Sequence, residues 1–157
     1  MYQNVYTEDY GDCHQINGRL NKLNDLKDLT IHSYKGHIEK GILSGLNKLE
    51  RLNIQYTYLS NDNMKEIIAL PNLKELYFYN PEFESDFSFE LFKKASNIQT
   101  LTVHGNLLNY VASGLVKNLT NVKKLVLNAG FEGIPKFVYD IPNLKKLTVN
   151  FREVQLD

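Results

Sequence analysis

The sequence predicts an α/β solenoid, with a parallel β-sheet on its concave side and short helices or turns on its convex side. Three observations predict it. A phrase of the form apolar-x-x-apolar-x-x-Leu-x-apolar returns every 22 to 25 residues. Its last two apolar positions alternate with outward ones, the period of a strand with one buried face. A second apolar pair precedes most later copies of the phrase, at a spacing that suits one or two helical turns. Such a unit cannot bury its apolar face alone, but it can when stacked on its neighbours.

Residues 1–22 do not carry the full phrase. Ile16 and Leu20 suit the return segment of a degenerate first repeat. Tyr2, Tyr6 and Tyr10 recur every four residues, a helical spacing. This segment therefore reads as an N-terminal cap over the first repeat, or as a degenerate repeat. The sharper alternative is an exposed aromatic ligand surface.

Residues 23–157 read as six repeats, the last incomplete. The apolar positions open with Leu23, Leu26, Leu29 and Ile31. Leu46, Leu49, Leu52 and Ile54 follow, then Leu70, Leu73, Leu76 and Phe78. The later sets are Ala95, Ile98, Leu101 and Val103; Leu119, Val122, Leu125 and Leu127; and Ile141, Leu144, Leu147 and Val149. The predicted return segments carry Ile42 with Leu43, Ile67 with Ile68, Leu91 with Phe92, Leu115 with Val116, and Phe137 with Val138. The stretch from Pro81 to Lys94 interleaves Phe83, Phe87, Phe89 and Phe92 with acidic residues. It suits core filling of a wider repeat, or an acidic-aromatic docking site. After Val149 the expected return segment is incomplete, and Val154 and Leu156 would serve as a minimal cap. Otherwise this end is expected to be covered by a partner or by further repeats.

The stretches LPNLKELYF (Leu70–Phe78) and IPNLKKLTV (Ile141–Val149) resemble the leucine-rich repeat family, and the resemblance spans about residues 20–157. It implies the solenoid just described and a role in protein recognition. The family often places Asn three positions after the last apolar strand residue, where it bonds the turn backbone. Here those positions hold Tyr34, Thr57, Pro81, Asn106, Gly130 and Arg152. Only Asn106 fits, so an asparagine ladder is not expected and the turns are expected to vary.

Charge and composition narrow the function. Lys plus Arg is 18 and Asp plus Glu is 18, a net charge of zero. That argues against nucleic acid or an anionic membrane as the partner. Arg, which supplies most bidentate phosphate and base contacts, is scarce. The lone cysteine, Cys13, excludes an intrachain disulfide and fits a reducing, intracellular compartment such as the cytoplasm. The first residues lack the basic and apolar runs of a signal peptide. No apolar run approaches the length of a membrane span. The triplet Asn118-Leu119-Thr120 places a core leucine at its centre and reads as a chance glycosylation match.

No catalytic, metal or cofactor constellation is visible. His14, His32, His37 and His104 lack metal-ligand spacing. Glycines are scattered and form no phosphate loop. Cys13 beside His14 is a poor nucleophile–base pair. The expectation is a protein that is not an enzyme and needs no cofactor.

The strand register instead predicts a surface. One outward column reads Thr30, Asn53, Tyr77, Thr102, Val126 and Thr148. The next reads His32, Gln55, Tyr79, His104, Asn128 and Asn150. Neighbours in a column stand about 4.8 Å apart. Tyr56, Tyr77, Tyr79 and His104 are the expected partner contacts, with His32 and Gln55 beside them, because exposed central aromatics suit binding hot spots. The plainer reading of these tyrosines is strand propensity. Before the strands, Lys123, Lys124, Lys145 and Lys146 form a basic cluster, which suits a solvated rim or the steering of an acidic partner. The expected function is protein–protein recognition, and the resemblance suggests a substrate-recognition adaptor or a host-factor-binding protein. The alternative is a self-assembling repeat protein, a homodimer through the C-terminal end.

Overall fold

The computed structural model describes residues 2–7, 20, 22–105, 115–131 and 134–151. It is an α/β structure built on one eight-stranded sheet. The strands are β1 (Tyr2–Thr7), β2 (Asp28–His37), β3 (Arg51–Leu59), β4 (Glu75–Tyr79), β5 (Glu82–Phe83), β6 (Thr100–His104), β7 (Lys124–Phe131) and β8 (Lys146–Phe151). Their order is β1-β2-β3-β4-β6-β7-β8, with β5 paired to β3, and every pairing is parallel.

The register aligns the phrase. Leu29, Leu52, Leu76, Leu101 and Leu125 stand opposite one another, each no more than 2% exposed, with Leu147 next in the row. Ile31, Ile54, Phe78, Val103 and Leu127 form the adjacent buried row. Each such side chain contributes about 1.5–3 kcal/mol by leaving water. On β8 the pattern weakens: Leu147 and Val149 are only half-buried.

A ladder of shared carbonyls sets this register at the strand entrances. The Lys27 carbonyl accepts from both Glu50 and Arg51 N–H at 2.9 and 3.0 Å. Glu50, Lys74, Gln99 and Lys123 repeat the arrangement toward the next strand. An asparagine ladder lies just upstream. Asn72 Nδ2 donates to the Asn47 carbonyl at 2.6 Å, Asn97 to Pro71 at 3.1 Å, and Asn143 to Thr120 at 2.6 Å. A ladder thus exists, but it precedes the strands instead of following them. At the downstream position Thr57 is buried and bonds the Gln55 carbonyl through Oγ1 at 2.7 Å, and Pro81 is buried too. Asn106 and Arg152 lie outside the described residues.

The sequence predicts six sheet strands, and β1 and β5 are additional. The helical spacing of Tyr2 and Tyr6 is overridden, because β1 extends the sheet with Val5 opposite Ile31. β5 forms because β3 continues past Gln55, offering Tyr58 and Leu59 to Glu82 and Phe83. Tyr10, Cys13, His14, Ile16, Val154 and Leu156 lie outside the described residues.

The opposite side holds the α-helix α1 (Asn61–Ala69). Ser60 caps it reciprocally with Asn63. The Ser60 hydroxyl accepts from Asn63 N–H at 3.1 Å, and Asn63 Oδ1 accepts from Ser60 N–H at 3.0 Å. Asn63 is 2% exposed, and its Nδ2 donates to the Ile38 carbonyl at 2.9 Å, tying the helix to the preceding return. Met64 and Ile67 turn into the core. Leu70 is extended, as the residue before Pro71 must be, and ends the helix. Other returns use 3-10 turns at Phe89–Lys94, Val116–Asn118 and Lys136–Asp140. The Phe-rich return fills core: Phe83, Phe89 and Phe92 are buried, and the Phe87 ring lies 4.4 Å from that of Phe83.

Candidate functional site

Strand alternation turns both predicted columns away from the core. Thr30, Asn53, Tyr77, Thr102, Val126 and Thr148 align across β2, β3, β4, β6, β7 and β8. His32, Gln55, Tyr79, His104 and Asn128 align beside them. Asn150 Nδ2 donates to Asn128 Oδ1 and continues the second column. All are half-exposed except Asn150, which is exposed.

The residue that organises this face is Tyr56. Simple alternation after Gln55 would send its side chain into the core. Instead its φ of 52° lies in the left-handed region, and the next residue, Thr57, takes the buried position. The Tyr56 ring therefore stays on the outward side. Its centroid lies 5.4 Å from His32 and 5.0 Å from Tyr79. Tyr79 in turn stacks on His104 at 4.0 Å and 16°. Four rings from four neighbouring strands thus make one ribbon, His32–Tyr56–Tyr79–His104. A left-handed tyrosine costs on the order of 1–2 kcal/mol. Such outliers cluster at functional sites.

The same turn recurs on the next strands. Asn80 has φ 44° and Gly105 has φ 84° at the equivalent place. Asn80 N–H donates to the His104 carbonyl at 2.8 Å. The backbone favours glycine here, and a Cβ on Gly105 would lie 1.6 Å from Asn80 Oδ1, so the Asn80 side chain would have to move aside.

Polar groups position the tyrosines. The Tyr77 hydroxyl donates to Glu75 Oε2 at 2.5 Å. Burial, and then the Glu75 carboxylate, push the Tyr77 phenol up to about 12. The hydrogen bond with Tyr56 raises the Tyr79 phenol above its ordinary range. Beside them Arg51 Nε bonds Asp28 Oδ2 at 2.5 Å. His104 Nδ1 is enclosed and has no hydrogen-bond partner among the described residues.

The structure therefore brings His32, Tyr56, Tyr79 and His104 into contact. Gln55 stands between His32 and Tyr79 in register. Tyr77 is one column away, held toward Glu75. Sequence reasoning missed Glu75, whose signal was its place two residues before Tyr77 on the same strand face. It also missed the conformation of Tyr56, for which the residue type carries no signal. Away from this face, the Phe-rich return borders a groove of about 480 Å³ whose rim carries Glu84 and Glu90.

The arrangement offers flat aromatic area and hydrogen-bonding groups. Among the described residues no group of His, Cys, Asp and Glu is placed to hold a metal ion, and no helix is long and apolar enough to cross a membrane. Neither the protein-family models nor the curated proteins compared with this chain match it.

Proposed function

We propose that this chain is a leucine-rich repeat solenoid that serves as an intracellular protein-interaction module and performs no chemistry of its own. Its partner is another protein, bound across the outward face of the sheet. Nucleic acid and membrane are not its targets, and it uses no cofactor. Tyr56, Tyr77, Tyr79 and His104 carry the contact, with His32 and Gln55 at its margin. The observation that supports this reading most is the ring ribbon, above all the strained Tyr56 that completes it. A tyrosine serving only as a good strand former would sit in extended backbone. The resemblance suggests two settings for such a module, a substrate-recognition adaptor or a host-factor-binding protein. The test is capture of partners from source-cell lysate by wild-type protein and by Tyr77→Ala/Tyr79→Ala. The expected outcome is specific loss of one or a few partners from the variant.

A second reading has its own observation. Near β8, Leu144, Leu147 and Val149 are only half-buried, Tyr139 is 77% exposed and Ile134 is 50% exposed. This apolar end suits self-association into a homodimer. Mass measured by light scattering across a concentration series tests it. A concentration-dependent rise supports self-assembly, and constant monomer mass rejects it.

A further inference from the structure

We infer that the partner segment bound by this face is acidic, with carboxylates that lie over Lys123, Lys124, Lys145 and Lys146. The inference rests on the binding reading above and adds the chemistry of the ligand.

The argument starts from two rim positions at the strand entrances. At the outermost position the residues run Lys27, Glu50, Lys74, Gln99, Lys123, Lys145. At the first strand position they run Asp28, Arg51, Glu75, Thr100, Lys124, Lys146. Over the first three rungs the sign alternates, and the charges of the first two rungs pair. Lys27 Nζ meets Glu50 Oε1 at 3.1 Å, and Arg51 meets Asp28 at 2.5 Å. The fourth rung is neutral. On the last two rungs alternation stops and four lysines stand together, Lys124 directly opposite Lys146.

Like charges opposite each other across a sheet destabilise it. No acidic side chain among the described residues forms an ion pair with any of the four. The outward residues of β6, β7 and β8 through Asn150 include no Asp or Glu: they are Thr100, Thr102, His104, Lys124, Val126, Asn128, Lys146, Thr148 and Asn150. Among the described residues no carboxylate on this face offsets the four charges, so the patch is positive and complementary to an anionic ligand.

The donor set selects carboxylate over phosphate. The backbone N–H groups of all four lysines already donate to the Gln99 and Lys123 carbonyls, so no amide cradle remains for a phosphate. No Arg stands among them to grip phosphate bidentately. Four separate ammonium groups match carboxylates spread along a peptide. From Tyr79 to these lysines the sheet spans roughly 15–20 Å by strand spacing and rise. That is about five or six residues of extended chain. The ligand is thus a segment with an aromatic or apolar residue on the ring ribbon and Asp or Glu five or six positions away.

The test is selection of a random dodecapeptide library against three proteins: wild type, Lys124→Glu/Lys146→Glu, and Tyr77→Ala/Tyr79→Ala. The changed side chains are exposed or half-exposed, and circular dichroism checks each fold. Wild type is expected to enrich peptides pairing an aromatic with acidic residues. The charge-reversed variant is expected to lose the acidic enrichment, keep the aromatic one, and bind wild-type-selected peptides on the order of tenfold more weakly. Aromatic enrichment without acidic enrichment overturns this inference and leaves the binding face standing. Acidic enrichment unchanged in the tyrosine variant, with no aromatic enrichment in wild type, overturns the binding face instead. No enrichment overturns both. Binding of a single-stranded oligonucleotide or inorganic phosphate in preference to the selected peptides overturns the choice of carboxylate.

Discussion

The Tyr56 ring packs 5.0 Å from the Tyr79 ring because Tyr56 is left-handed, with φ 52°. Asn tolerates this conformation better than Tyr but carries no ring. Replacing Tyr56 with Asn should remove about 1–2 kcal/mol of backbone strain and lose ring packing worth about 0.5–1.5 kcal/mol per pair. Stability by urea denaturation is expected to stay within about 1 kcal/mol of wild type, while partner binding falls. A loss of several kcal/mol in stability would assign Tyr56 to the fold alone.

Tyr77 should give the face an alkaline signature. Its phenol is raised to about 12, by burial and then by Glu75. The unfolded chain releases this proton near pH 10. Between about pH 10 and 12 the folded state holds one proton more than the unfolded state, so stability falls as pH rises through that window. Below pH 10 the contribution is fully present. Tyrosinate absorbance should show a phenol titrating near 12 that disappears in Tyr77→Phe, while the raised Tyr79 phenol persists in that variant.

Gly105 and Asn80 should be coupled. Gly105→Ala forces Cβ into left-handed backbone and against Asn80 Oδ1, with an expected cost of about 2–3 kcal/mol. Asn80→Gly beneath it removes the contact and keeps the favourable turn conformation. The double variant should recover part of the loss, and the non-additive term reads the contact. Strict additivity in denaturation would place the cost in the backbone alone.

Asn63 should be the most sensitive polar position. Asn63→Ala removes half of the capping box and leaves the buried Ile38 carbonyl without its donor. The expected cost is about 2–4 kcal/mol. Asn63→Asp keeps an acceptor for Ser60 but cannot donate to Ile38, so it should not restore stability. Thermal or urea unfolding of the two variants checks this.

Much of this architecture was legible because it rests on alternation. The row Leu29–Leu52–Leu76–Leu101–Leu125 and the two outward columns follow from a period of two once the phrase is aligned. The candidate face was legible for the same reason. What alternation could not reveal were the places where it breaks. At Tyr56 and Thr57 the chain shifts by one, and nothing in a tyrosine announces a positive φ. The tyrosine spacing at Tyr2 and Tyr6 suggested a helix, but strand pairing with β2 won. The residues after the strands predict no asparagine ladder, whereas Asn72, Asn97 and Asn143 form one before them. Their shared place one residue before the second apolar position was the available signal. α1 differs from the 3-10 returns because Ser60 and Asn63 cap it.

The most direct measurement is the partner set captured by wild-type protein, by Tyr77→Ala/Tyr79→Ala, and by a control altered on the opposite side at Lys93→Ala/Lys94→Ala. The lysines sit on the exposed 3-10 turn, remote from the ring ribbon. Quantitative mass spectrometry should find a partner retained by wild type and by the lysine control but lost from the tyrosine variant, with affinity reduced by a few kcal/mol. Equal capture by all three proteins, with the variants folded, would contradict a binding role for this face.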